Sequence, residues 1–218
     1  IGPYPYEKLA NVEAAGMGGG MEHASVIFYG ARSVTMEPAT GLVTHEIAHQ
    51  WFGDSVTESD WDDVWLSEGF ATYFTSLFIE HAYGRDEFVA TMNNAKQRVY
   101  TFYQDRPDYR IVHDDLSDMR QVTTGMQYQK GAWILHMLRH MVGDEVFREG
   151  IRQYYREYRD KNCSTADFQR VMEEVSGKEI GWFLKQWLYQ GGNPRYEGGW
   201  SYDQGAGELR VELNQVQD

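Results

Sequence analysis

Four side chains in one short stretch have the types and spacing for metal chemistry. His45 and His49 are four residues apart, Glu46 follows His45, and Glu68 lies nineteen positions beyond His49, all within GLVTHEIAHQWFGDSVTESDWDDVWLSEGFATYF. On a helix, four residues turn the chain about 400°, so both imidazoles leave one face, a turn apart. That arrangement suits two nitrogen ligands on one zinc ion. A catalytic zinc takes three protein ligands and leaves one position to water, so a third ligand must come from another element. Glu68 is the candidate, about one turn into the helical stretch WLSEGFATY. A glutamate among Leu66, Phe70, Tyr73 and Phe74 needs a partner, because burying it unpaired is costly. Glu46, rotated about 100° from His45, can lean over the bound water, whose pKa zinc lowers to roughly 7, and serve as general base. The HExxH pattern alone constrains three positions and also occurs in helices that bind nothing. Glu68 at its spacing turns the reading toward a metal centre.

A second histidine pair shows a weaker signal. His136 and His140 in LHMLRHM are also four apart, but no glutamate follows the first and no third ligand suggests itself. They read as ordinary helix histidines, and His81 and His113 as structural or surface residues.

The elements that must position these groups follow from periodicity and punctuation. EAAGMGGGMEHASVIFYG reads as an extended segment near 18–22 and a strand near 25–29. From Met36 the pattern is helical, with Pro38 near the start, Leu42, Ile47 and Trp51 at helical spacing, and Gly53 at the end. DSVTESDWDD is expected to be a loop. Helices are expected at 64–83, 86–103, 124–141, 144–160, 164–176 and 179–189, the fifth with the start signal STADF. The tail changes character: after GGNP, alternating Leu209, Val211 and Leu213 suggest two strands around DQGAGE. A lone hairpin is marginal in water, so residues 195–218 are expected to begin a further β domain. The fold class expected is α+β, mostly α.

Composition narrows the function. No apolar run is long enough to span a membrane. The net charge of −13 argues against nucleic acid and anionic lipid as partners. Cys163 is the single cysteine, which excludes an internal disulfide and a cysteine-rich zinc site. The chain starts at Ile1 without a basic-then-apolar leader and reads as part of a longer polypeptide, its compartment open.

These residues resemble the zinc aminopeptidases of the alanyl aminopeptidase family, which also includes leukotriene hydrolase. HEIAHQWFGD, the eighteen-residue gap and WLSEGFATYF are similar to the family's zinc signature; GPYPYEKLANVE, GGGMEH, YQKGAWILHML and QWLYQGGNP fall in the family's order. The resemblance implies that residues 1–194 are a thermolysin-like catalytic domain with a short N-terminal β segment, lacking the domains that flank it in the same polypeptide. It implies that Gly19, Gly20, Met21 and Glu22 line a peptide substrate as an edge strand, with Glu22 binding the free α-amine; His23 stands where the family has Asn. Glycines admit a peptide backbone, a strand edge can pair with it, and a carboxylate meets an ammonium. It also implies that Tyr128, in YQKG, donates to the developing oxyanion. The expected activity is removal of the first residue from peptides with a free N-terminus. Two rivals stand beside it: a zinc endopeptidase or epoxide hydrolase on the same scaffold, and a zinc-binding fragment of impaired activity.

Overall fold

The computed structural model describes residues 1–35, 39–113 and 115–216. β1 (Ala10–Ala14), β2 (Gly20–Met21) and β3 (Val26–Gly30) form a sheet in the order β1-β3-β2, with β1 parallel and β2 antiparallel to β3. β2 is thus an edge strand. A short helix, α1 (Ala31–Thr35), follows; Met36 and Pro38, expected at a helix start, lie outside the described residues. α2 spans Thr40–His49 and stops short of the expected Trp51 and Gly53. The backbone reverses there instead, with Gly53 N–H bonding to Val56 O and Val56 N–H to Trp51 O.

The segment expected to be a loop contains β4 (Val56–Glu58) and a 3₁₀ turn (Trp61–Asp63). β4 pairs in parallel with β5 (Lys161–Cys163), a partner far along the chain that local pattern does not announce. α3 (Trp65–Tyr83), α4 (Arg85–Asp105), α6 (Gly125–Val142), α7 (Asp144–Tyr158), α8 (Thr165–Ser176) and α9 (Gly181–Leu188) match the expected helices to within about two residues at each end; α5 (Met119–Val122) is additional. α6 and α8 open on reciprocal capping boxes, Thr124 with Gln127 and Ser164 with Asp167, which satisfy backbone N–H groups that the helix cannot.

The core gathers Trp65, Phe70, Tyr73, Phe147, Tyr154 and Phe168 in one buried cluster. α3 and α6 approach backbone to backbone: a Cβ on Gly69 would lie 3.0 Å from Gly131 Cα and 3.1 Å from Gln127 O. A larger residue would push the two helices apart at that crossing, next to which Glu68 meets Tyr128. β6 (Tyr196–Asp203) and β7 (Glu208–Gln215) form an antiparallel hairpin whose residues are all exposed, Trp200, Leu209 and Leu213 included. The architecture is mostly α with short β segments, as expected, and among the described residues no helix is long and apolar enough to cross a membrane.

Candidate active site

α2 presents His45 and His49 a turn apart, and α3 packs against it so that Glu68, the fourth residue of α3, faces them. The donor atoms form a near-equilateral triangle. His49 Nε2 lies 3.1 Å from His45 Nε2, and Glu68 Oε2 lies 3.2 Å from His45 Nε2 and 3.3 Å from His49 Nε2. Zinc bonds of about 2.0–2.1 Å at tetrahedral angles separate ligand atoms by about 3.3–3.4 Å. The triangle is therefore the size of one face of a zinc tetrahedron, and the two-imidazole, one-carboxylate donor set suits that ion. Three lone pairs aimed at one point repel unless a cation, proton or metal, lies among them. His49 Nδ1 is 3.0 Å from Phe52 O. A carbonyl only accepts, so Nδ1 carries the proton and Nε2 is turned to the cage.

The electrostatics agree. Burial alone would raise the Glu68 carboxyl, but the adjoining His45 and His49 imidazoles outweigh it and bring it down to about 2. Glu68 Oε1 accepts from Tyr128 Oη at 2.6 Å, which leaves Oε2 for the cage. The Tyr128 ring stacks on His45, with centroids 5.7 Å apart and planes at 18°. Burial, then the Glu68 charge, raises the Tyr128 pKa, so the phenol stays a donor.

Glu46 is buried beside the cage, and burial pushes its carboxyl up to about 7. Glu22, Glu46 and His49 each offer an atom within 4.8 Å of the others, so two carboxylates border the ligand triangle. β2 runs against this face of α2. A Cβ on Gly20 would overlap Glu46 Oε1 at 2.4 Å, so a larger residue there would displace the Glu46 carboxylate. Met21 completes the edge and Glu22 follows it, and Gly19 turns into it with its N–H on Ser33 Oγ at 2.8 Å. The structure thus gathers His45, Glu46, His49, Glu68, Tyr128, Glu22 and the Gly19–Met21 segment in one place.

Sequence reasoning missed Gln50 and Asp54. Gln50 is fully buried and bonds Glu22, Ser25, Tyr4 and Asp54. Its position, four residues after Glu46, is legible in the chain; its partners are not. The second histidine pair has no third donor among the described residues. His136 faces His140 at 3.3 Å and Tyr73 Oη at 3.0 Å, and burial pushes its pKa down to about 4. His81 is exposed.

Comparisons with known proteins bear on this geometry. The model of the peptidase family M1 domain matches residues 1–187. The chain is similar to an aminopeptidase N of Lactococcus lactis, 35% identical over 163 residues, which are 70% of this chain and 19% of that protein. It is 31% identical over 206 residues to a glutamyl aminopeptidase of Sus scrofa, covering 88% of this chain and 22% of that one. The chain spans about a fifth of the length of the curated relatives it matches. Among solved structures, an M1 zinc metallopeptidase from Deinococcus radiodurans superimposes with a TM-score of 0.75 at 29% identity, covering 89% of this chain and 42% of that one. A mutant of such an enzyme from the same organism, bound to a Tyr-Ser-Ala substrate, gives a TM-score of 0.71 at 29% identity over 85% of this chain and 40% of that one.

Proposed function

The chain belongs to peptidase family M1, and on that basis we propose that residues 1–194 form the catalytic domain of a zinc-dependent aminopeptidase and that residues 195–218 begin a further β domain. The observation that carries the reading is the ligand triangle of 3.1–3.3 Å with the Glu46 and Glu22 carboxylates at its rim.

His45, His49 and Glu68 would hold one zinc ion. When bound, zinc supplies the Lewis acidity that makes water nucleophilic near neutral pH. Glu22 receives the α-ammonium of the peptide and so sets which carbonyl reaches the ligand triangle. The Gly19–Met21 edge offers backbone groups to an extended peptide. Glu46 takes the proton of the attacking water and passes it to the departing amide nitrogen; a carboxyl held near 7 suits both steps. Tyr128 turns its O–H from Glu68 to the scissile carbonyl oxygen as negative charge develops there. The exposed apolar face of the β6–β7 hairpin supports a following β domain, since two strands alone do not bury it.

Hydrolysis of matched free-amine and N-acetylated peptides tests this. The expected result is cleavage of the first residue from the free-amine peptide alone. Equal cleavage of both would replace the aminopeptidase reading with an endopeptidase one.

A further inference from the structure

The turn that carries Glu22 is fastened to α2 by one side chain, and we propose that Gln50 is the positioning residue that fixes the amine anchor at a set reach from the metal ligands. The inference rests on the aminopeptidase reading and on Glu22 as its anchor.

Gln50 is fully buried. Its Nε2 donates to Glu22 O at 2.8 Å and to Asp54 Oδ2 at 2.7 Å; its Oε1 accepts from Ser25 N–H at 2.8 Å and lies 3.0 Å from Tyr4 Oη, whose one proton it shares with Lys8 O. An amide has two N–H donors and two oxygen lone pairs, so its whole capacity is used. A backbone N–H only donates, so the bond from Ser25 also fixes which way the amide points. Two of the four partners, Glu22 and Ser25, bracket the four-residue turn between β2 and β3. That turn is strained where Gln50 grips it: Ser25 has φ 67°, a conformation non-glycine residues seldom adopt. The bond from Ser25 N–H helps to hold it there.

The spacing explains why position 50 serves. Glu46 and Gln50 are one helical turn apart on one face, a rise of about 6 Å. Gly20 stands in β2, and Glu22 opens the turn two residues on. Gly20 lies against the Glu46 side chain, and Glu22 is met by Gln50 one turn on. The helix thus meets the strand at Glu46 and the turn at Gln50, which ties the general base and the amine anchor to one element. A side chain that only filled the space would be replaceable by an apolar one of equal length; four oriented hydrogen bonds are not.

The test uses the full-length protein, loaded with zinc, and two variants, Gln50→Met and Gln50→Asn. The readouts are zinc content and the ratio of kcat/KM for a free-amine peptide to that for its des-amino analogue. Wild type should favour the free amine. Both variants should keep zinc and lose about tenfold or more of that preference, mainly through KM, because small misplacements of a binding group are felt strongly. Loss of packing alone would lower both substrates together and leave the ratio unmoved. Should Gln50→Met not fold, Gln50→Asn decides, since it keeps an amide in the buried position but cannot span both partners. An unchanged ratio in a zinc-loaded variant overturns the inference and leaves the aminopeptidase reading intact. A wild type with no preference for the free amine overturns that reading, and the inference with it.

Discussion

Replacing Tyr128 with Phe removes one hydroxyl and leaves the ring stacked on His45. The lost contact is the 2.6 Å hydrogen bond to Glu68 Oε1. Bonds to a charged acceptor contribute about 1.5–3 kcal/mol. At about 1.4 kcal/mol per tenfold, Tyr128→Phe should weaken zinc binding roughly 10–100-fold, in line with the losses found when partners of metal ligands are removed. Competition with a chelator of known affinity measures this. Total zinc content at micromolar protein should scarcely change, because a tight site stays filled after such a loss. With zinc saturating, kcat should fall separately, by roughly 10²–10³-fold if the phenol supports the oxyanion as other single donors do. An unchanged zinc dissociation constant would refute the ligand-orienting argument. An unchanged kcat at saturating zinc would remove Tyr128 from the chemistry.

Gly69→Ala offers a test of sign. Alanine in a helix interior normally adds about 1 kcal/mol of stability, but here the new Cβ meets three backbone atoms of α6 at 3.0–3.1 Å. Overpacking of about 1–3 kcal/mol should prevail and lower the melting temperature by a few degrees; a rise, as propensity alone gives, would contradict the close crossing. Lys130 is buried with its Nζ 2.5 Å from Tyr103 Oη, and burial pushes its pKa down to about 7. Unfolded, it titrates near about 10.4. The unfolded state therefore binds more protons between these values, so stability rises with pH across that window. The cost of the buried charge is present in full below pH 7 and fades toward about 10.4. Wild type should gain on the order of 4 kcal/mol relative to Lys130→Met over the window, read from denaturant unfolding at pH 7, 8.5 and 10; a constant difference would mean the amine is not desolvated.

Local periodicity carries α4 and α7 because each buries one face; α3, buried nearly all round in its first half, is legible by its apolar content and the glycine that ends it. Glu68 could be paired with His45 and His49 from sequence because a zinc site would demand a third donor and the neighbouring residues are apolar. The β4–β5 pairing could not be read, since Val56–Glu58 and Lys161–Cys163 are short, distant, and paired only through tertiary contact. α2 ends before Trp51 because a tight turn through Gly53 takes over the backbone bonds, a competition that apolar spacing does not register. Gln50 escaped notice because a glutamine gives no chemical signal by type; its importance lies in partners brought from Tyr4, Glu22 and Ser25 by the fold. The Tyr128–Glu68 bond likewise depends on the Gly69–Gly131 crossing, which neither motif shows alone.

The most direct measurement is metal analysis of wild type and Glu46→Gln, set beside hydrolysis of a panel of aminoacyl anilides. One zinc per chain in both proteins, with turnover in wild type and a loss of about 10²–10⁴-fold in the variant, is the predicted result. Zinc absent from wild type, or hydrolysis persisting in Glu46→Gln, would contradict a three-ligand zinc centre served by that carboxylate.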